Sequence, residues 1–230
     1  MKKLLIKGFI LMVLSLAVAG PSLAQMSFDF GAKLGFSSTG MFGNDIEKTS
    51  FPKRGFIGGV YLRMHLSPQI SLQAEGLYSQ KGTRGLVDNF GVIDTMKVKM
   101  DYFEIPVLFK YEFPMPGLVK PGVFAGPVMA VKLAAKAESD DNIGLLASEA
   151  DIYNATGVNL GFIFGLGFDV GLGGGKALFD IRYTLSLSKA FKKVEDPGSI
   201  PSDEVAFIYD DGRAVDLKHG GFSFIIGYAF

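Results

Sequence analysis

The chain has 230 residues with 23 basic and 23 acidic side chains, 48% apolar residues, 30 glycines, 21 phenylalanines, and neither cysteine nor tryptophan. The missing cysteine excludes disulfides, thiol chemistry and cysteine-ligated metal. The balanced charge gives no footprint for nucleic acid.

The first 24 residues read as a secretory leader. Lys2, Lys3 and Lys7 make a basic start, Phe9 to Ala19 is apolar, Gly20-Pro21 breaks the run, and Ser22-Leu23-Ala24 offers a cleavage site after Ala24. A membrane anchor is the alternative, but the run is short for a span of ~20 residues. No cysteine follows the cleavage position to carry a lipid. Removing three lysines and no acid leaves 20 basic against 23 acidic residues, a net charge of about −3. No later segment supplies 18 consecutive apolar residues, so helical spans are excluded.

Alternation of period two then begins. Phe28, Phe30, Ala32, Leu34 and Phe36 share one face, with Asp29, Gly31, Lys33 and Gly35 on the other, which is wet. A polar loop is expected over 37–53, then a strand from Gly55 to Leu66 and a tight turn at Ser67-Pro68. The third strand, Ile70 to Lys81, turns Ser71, Gln73, Glu75, Ser79 and Lys81 inward, and a second long polar stretch covers 82–95. In the fourth, Met96 to Glu112, the apolar parity changes between Met100 and Phe103, which predicts a bulge there. The fifth, Lys120 to Lys136, is interrupted by Gly126-Pro127, where a bulge or break is expected. A third long loop covers 137–155.

The sixth strand sets Val158, Leu160, Phe162, Phe164, Leu166, Phe168 and Val170 against Asn159, Gly161, Ile163, Gly165, Gly167 and Asp169. Gly171-Leu172-Gly173-Gly174-Gly175 joins it to the seventh, Ala177 to Ser188; the cluster precedes no helix, so a nucleotide fingerprint is not expected. A fourth long loop, 189–214, leads to a strand from Val215 to the C-terminus. Its end puts Phe222, Phe224, Ile226, Tyr228 and Phe230 on one apolar face.

A soluble sandwich also alternates, but an exposed terminal strand of this kind is an aggregation hazard that a closed membrane barrel removes. Eight strands whose connections run long, short, long, short, long, short, long fit an all-β, eight-stranded antiparallel up-and-down transmembrane β-barrel, in a single domain at 25–230. That arrangement places both termini in the periplasm and requires the last strand to close against Phe28 to Phe36.

Tyr102-Phe103-Glu104-Ile105-Pro106-Val107-Leu108-Phe109-Lys110-Tyr111, Phe124-Ala125-Gly126-Pro127, Asp180-Ile181-Arg182-Tyr183 and Gly31-Ala32-Lys33-Leu34-Gly35 resemble the PorT-like outer-membrane β-barrel family. The resemblance spans nearly all of the mature chain. It implies an eight-stranded barrel of OmpA or OmpX style and, more distantly, a role in a secretion and gliding machinery.

The wet face carries Lys33, Arg63, Glu75, Glu104, Lys110, Asp180 and Arg182. A barrel of eight strands is only wide enough to be filled by side chains, so these charges are expected to pair, with Glu104 and Arg182 as first partners. A gated ion path or small-solute channel is the alternative. A barrel enzyme ranks behind it. Only two histidines exist; His65 is set beside the Ser67-Pro68 turn, and His219 near the outer rim with Asp210, Asp211 and Asp216 close in sequence. No catalytic residue is assigned. Asp140-Asp141-Asn142 and Asp210-Asp211-Gly212 lack calcium-loop spacing and read as solvated turns, so no metal or cofactor is expected. Phe28, Tyr78, Tyr111, Tyr183, Tyr228 and Phe230 read as interfacial girdle. The expected partners are outer-membrane lipid, the barrel insertion machinery, which reads the terminal aromatics, and a protein of unknown identity meeting a monomeric barrel.

Overall fold

A computed structural model describes residues 27–43, 50–89, 92–139, 149–201, 204–206 and 216–230. The expected leader and the acidic clusters at 140–142 and 210–212 lie outside the described residues. The strands are β1 (Ser27–Gly43), β2 (Ser50–His65), β3 (Ile70–Asn89), β4 (Val92–Glu112), β5 (Val119–Ser139), β6 (Glu149–Ile152), β7 (Val158–Gly171), β8 (Lys176–Ser186), β9 (Glu204–Val205) and β10 (Leu217–Ala229).

Eight of them close a ring in the order β1-β2-β3-β4-β5-β7-β8-β10, with every neighbouring pair antiparallel. The fold is an up-and-down β-barrel. β10 seals the ring by pairing Leu34 with Ile226 and Phe36 with Phe224, and the Phe230 N–H donates to the Phe30 carbonyl at 2.9 Å. The ring therefore has no open edge, which is how an apolar wall avoids sticking to its neighbours.

Three short turns, at 66–69, 113–118 and 172–175, share one end of the barrel with Ser27 and Phe230. We call this the turn end and the opposite one the loop end. The Ser67 hydroxyl accepts from the Ile70 N–H at 3.1 Å, and Gly173 turns the last connection at φ +61°, a conformation that disfavours other residues.

Alternation divides the wall. Phe30, Leu34, Phe36, Val60, Leu62, Phe164, Leu166, Phe222, Phe224 and Ile226 face outward and are largely exposed, while Lys33, Arg63, Glu75, Asp180 and Arg182 face inward and are buried. Only a hydrocarbon solvent suits such an exterior.

The strands run well past that band, and here several sequence expectations are corrected. β1 continues to Gly43, β2 begins at Ser50, and β3 and β4 stay paired out to Asn89 and Val92, so much of 37–53 and 82–95 is ladder rather than loop. β4 keeps one geometric parity over its described side chains: Val98 and Met100 point inward like Tyr102, Glu104 and Leu108. The expected change of face within β4 does not occur. The bulge lies on its partner, where Asp101 pairs with Ala134 and Tyr102 with Lys132, leaving Leu133 as the extra residue of β5. Gly126-Pro127 leaves the β7 side continuous, with Gly126 opposite Ile163 and Pro127 opposite Phe162, while the β4 side is locally interrupted there, between Pro106–Val128 and Phe109–Ala125, without a change of register.

The chemistry inverts along β4 because its 21 residues are about twice the ~9–11 that cross a bilayer. Beyond the apolar band the wall stands in water, so Lys97, Lys99 and Asp101 face out and apolar residues face in. Those inner residues, among them Met41, Val98, Met100, Ala135, Ile152, Ala155, Phe191 and Leu217, form a hydrophobic core at the loop end.

Candidate functional site in the lumen

Below that core the lumen is filled by charge. Among the described residues the buried charged side chains are five cations, Lys33, Arg63, Lys81, Lys110 and Arg182, and five anions, Glu75, Glu104, Glu112, Asp169 and Asp180. They sort into three layers, each of them neutral.

In the turn-end layer Arg63 bonds Asp169 directly, donates from Nε to Gln73 Oε1 at 2.8 Å and reaches Glu112 Oε1 at 3.4 Å. Lys110 Nζ donates to the other oxygen of Asp169 at 2.6 Å. In the middle layer Arg182 donates to both oxygens of Glu75, at 2.7 and 3.2 Å, and to Asp180 Oδ2 at 3.0 Å. Lys33 Nζ bridges the same two acids at 3.0 and 2.6 Å, and Gln73 Nε2 joins the layers by donating to Glu75 at 2.5 Å. In the third layer Lys81 Nζ lies 2.5 Å from Glu104 Oε1, a charge contact off the line of a hydrogen bond. Above it Tyr102 Oη meets His219 Nε2 at 3.3 Å and accepts from Asn159 Nδ2 at 3.0 Å.

Aromatic rings separate the charges. Tyr61 stands between Lys33 and Arg63, whose charged ends lie 4.8 and 5.8 Å from its ring centre, and Arg182 lies 5.5 Å from the centre of Phe124. Room for these groups comes from glycine. A Cβ on Gly165 would meet Phe124 Cζ at 2.6 Å, and one on Gly167 would meet Asp180 Oδ1 at 2.7 Å.

Geometry makes these contacts struts. β3 and β8, β2 and β7, and β4 and β10 each stand opposite one another in the ring. Thus Glu75–Arg182, Arg63–Asp169 and Tyr102–His219 each span the lumen. A buried ion is costly unless it is paired and hydrogen-bonded; the turn-end and middle layers meet that condition by joining facing walls, whereas Lys81–Glu104 joins adjacent strands by charge contact.

Both ends differ from this middle. At the loop end the segments at 153–156 and 190–194 fold into the barrel mouth. The Thr156 N–H donates to Ala190 O at 2.7 Å and the Lys192 N–H to Asn154 O at 2.8 Å, with Ala190 and Phe191 buried beneath. At the turn end a vestibule of about 590 Å³ opens, lined by His65, Ser67, Lys120, Lys176, Glu112 and Asp169 among others. On its rim Asp29 holds His65 at 2.9 Å and Lys176 at 2.7 Å.

Of the sequence-derived residues, Glu75, Asp180 and Arg182 share one layer and Arg63 and Lys110 another, while Glu104 stands in the third. The expected Glu104–Arg182 pair is not made: Glu104 takes Lys81 from the adjacent strand, whereas Arg182 meets the acids facing and beside it. Sequence reasoning left Lys81, Glu112 and Asp169 out of the network, although inward parity marked the first and last. His219 is not at an open rim but inside the lumen, 3% exposed, with Tyr102 as its partner. Asp216 pairs with Lys189 at 3.0 Å, and Asp210 and Asp211 lie outside the described residues. Among the described residues no carboxylate orients His219 in the manner of a hydrolase triad, and no group of three acids or histidines could hold a metal ion. Phe222, Phe224, Ile226, Tyr228 and Phe230 all face outward on β10 and its end.

No curated protein matches the sequence. Among solved structures the chain is similar to Ail, the attachment invasion locus protein of Yersinia pestis, at 15% identity over 88% of this chain and 98% of that one, with a TM-score of 0.39. It is similar to neisserial surface protein A at 12% identity over 87% and 97%, TM-score 0.43, and to the outer membrane protein OprG of Pseudomonas aeruginosa at 11% over 89% and 95%, TM-score 0.40. The family model described as outer membrane protein beta-barrel domain matches residues 23–192. That match covers well over half of the chain, which therefore belongs to the outer membrane protein beta-barrel domain family.

Proposed function

We propose that this protein is a non-conducting, non-enzymatic outer-membrane barrel that serves as a structural or partner-binding anchor rather than as a pore. The observation that carries the reading is the neutral, cross-braced filling of the lumen, five cations against five anions in three layers, beneath an inward-folded apolar mouth. An ion moving through would have to separate pairs that cost several kcal/mol each to uncouple.

In this reading residues 1–24 are a leader removed on export, 25–230 form a monomeric barrel, and the turn end with both termini faces the periplasm. The loop end then presents β6, β9 and the segments around them to the outside. The PorT-like resemblance supports a partner within a secretion or cell-surface assembly, met at one of the two ends. Phe222, Phe224, Ile226, Tyr228 and Phe230 act beforehand, as the signal read by the insertion machinery.

Single-channel recording in a planar bilayer tests the central statement. The expected trace is flat under conditions where an eight-stranded control with an open lumen conducts; a stable conductance that disappears when the lumen is filled would establish the channel instead.

A further inference from the structure

The outer face of β2, β3 and β4 carries a second charge pattern, unlike the balanced lumen. Just beyond the apolar band stand Lys53, Arg54, Arg84, Lys97 and Lys99, accompanied on that face by Asp101 and Glu138. Lys53 interacts electrostatically with Lys99, Arg84, Glu138 and Asp101, which places these groups in one patch. A Cβ on Gly82 would meet Lys53 Cδ at 3.0 Å, so the lysine stem lies along the strand at that glycine. Arg84 and Lys97 are directly opposite on β3 and β4, and like charges so placed repel. Lys99 is bonded to Glu138, and Tyr78 to Asp101 at the lower border. With Lys136 opposite Lys99 on β5 and Asp151 opposite Lys136 on β6, six cations against three anions leave an excess of three positive charges among the side chains described there.

The position of the patch decides what the excess is for. Phe56 and Phe103, both exposed and outward, mark the edge of the apolar band on the same strands. Lys99 is four residues from Phe103, roughly 13 Å along β4. Long cationic side chains at such a boundary lay their stems on the apolar surface and set their charged ends at headgroup depth. We propose that this face is a binding site for the phosphate groups of membrane lipid, seating an anionic, phosphorylated headgroup beside Lys53, Arg54 and Arg84 with its acyl chains on Phe56, Val60 and Phe103. The proposal rests on the reading of the chain as a membrane-spanning barrel. Charge complementarity and continuity with the lipid-facing band favour a lipid over a soluble polyanion, because only a lipid satisfies both surfaces at once.

The experiment uses the full mature barrel in nanodiscs of phosphatidylcholine containing a minor fraction of bis-phosphorylated lipid A, with retained lipid counted by native mass spectrometry. The wild-type protein is expected to retain the phosphorylated lipid preferentially. Lys53→Gln, Arg54→Gln and Arg84→Gln are each expected to lower that preference about fivefold, while Lys120→Gln and Lys193→Gln, elsewhere on the surface, leave it unchanged. Heat-modifiable migration shows that each variant is folded. Folded patch variants that retain the lipid like the wild type overturn the proposal. So does soluble polyphosphate that binds the detergent-solubilised barrel as tightly as the lipid does and is lost in the same variants. A wild-type protein that shows no heat-modifiable barrel at all removes the membrane reading itself, an outcome distinct from either.

Discussion

Glu75 and Arg182 meet across the full width of the barrel through two hydrogen bonds, Nη1 to Oε2 at 2.7 Å and Nη2 to Oε1 at 3.2 Å. They come from facing walls, and Lys33 and Asp180 complete a neutral square around them. Arg182→Met is expected to destabilise the barrel by about 3–5 kcal/mol, since it leaves two buried acids sharing one lysine. Arg182→Met combined with Glu75→Leu is expected to cost less than the arginine change alone, because Lys33–Asp180 stays balanced. Urea unfolding in micelles, followed on unheated gels, gives both numbers; strictly additive losses would count against the strut.

The lipid-facing band has an upper limit that a single added charge locates. Val60 lies on the exposed apolar exterior of β2, and Ser38 faces out from β1 opposite Arg54, beyond the band. Val60→Arg is expected to cost ~2–4 kcal/mol in a bilayer and Ser38→Arg ~0–1 kcal/mol. Equal costs at the two positions, measured by reversible unfolding in lipid vesicles, would mean that the apolar band extends to the loop end.

Phe191 is 2% exposed and packs in the loop-end core with Ile152, Ala155, Ala190 and Leu217. Phe191→Ala removes the largest of these side chains and is expected to cost about 3–5 kcal/mol in the stability of that region. Limited proteolysis should show faster cleavage within 187–201 while the barrel below still migrates as a folded species. Unchanged cleavage would mean that the mouth is held by its backbone hydrogen bonds alone.

Phe230 contributes little that a finished barrel needs. Its ring is exposed, 5.8 Å from Phe30 and 5.1 Å from Tyr228, and its N–H makes one bond to Phe30. Deleting it is expected to lower outer-membrane levels strongly while refolding in micelles changes by only ~1 kcal/mol, the scale of one hydrogen bond. A normal membrane level would reduce the residue to girdle.

How far the sequence carried the reading depends on which solvent each stretch meets. Within the band every strand has lipid on one side and a packed lumen on the other, so Phe28 to Phe36, Val158 to Val170 and Phe222 to Phe230 announce strand, face and closing partner by alternation alone. Above the band the same strands have water outside and an apolar mouth inside. There Val98 and Met100 looked outward, and 37–53 and 82–95 looked like loop, because an apolar-out rule fails where the outer solvent changes.

Composition and period two were enough to set the architecture, the inward side of each strand within the band, and hence most of the charges that share the lumen. They could not say which charges meet. Pairing is set by tilt, register and the diameter of the closed ring, all of them long-range, and these bring Glu75 to Arg182 and Arg63 to Asp169 across the barrel while leaving Glu104 to its neighbour Lys81. The bulge at Leu133 depended on closure too, since either member of a strand pair can absorb an extra residue and only the finished ladder shows which one did.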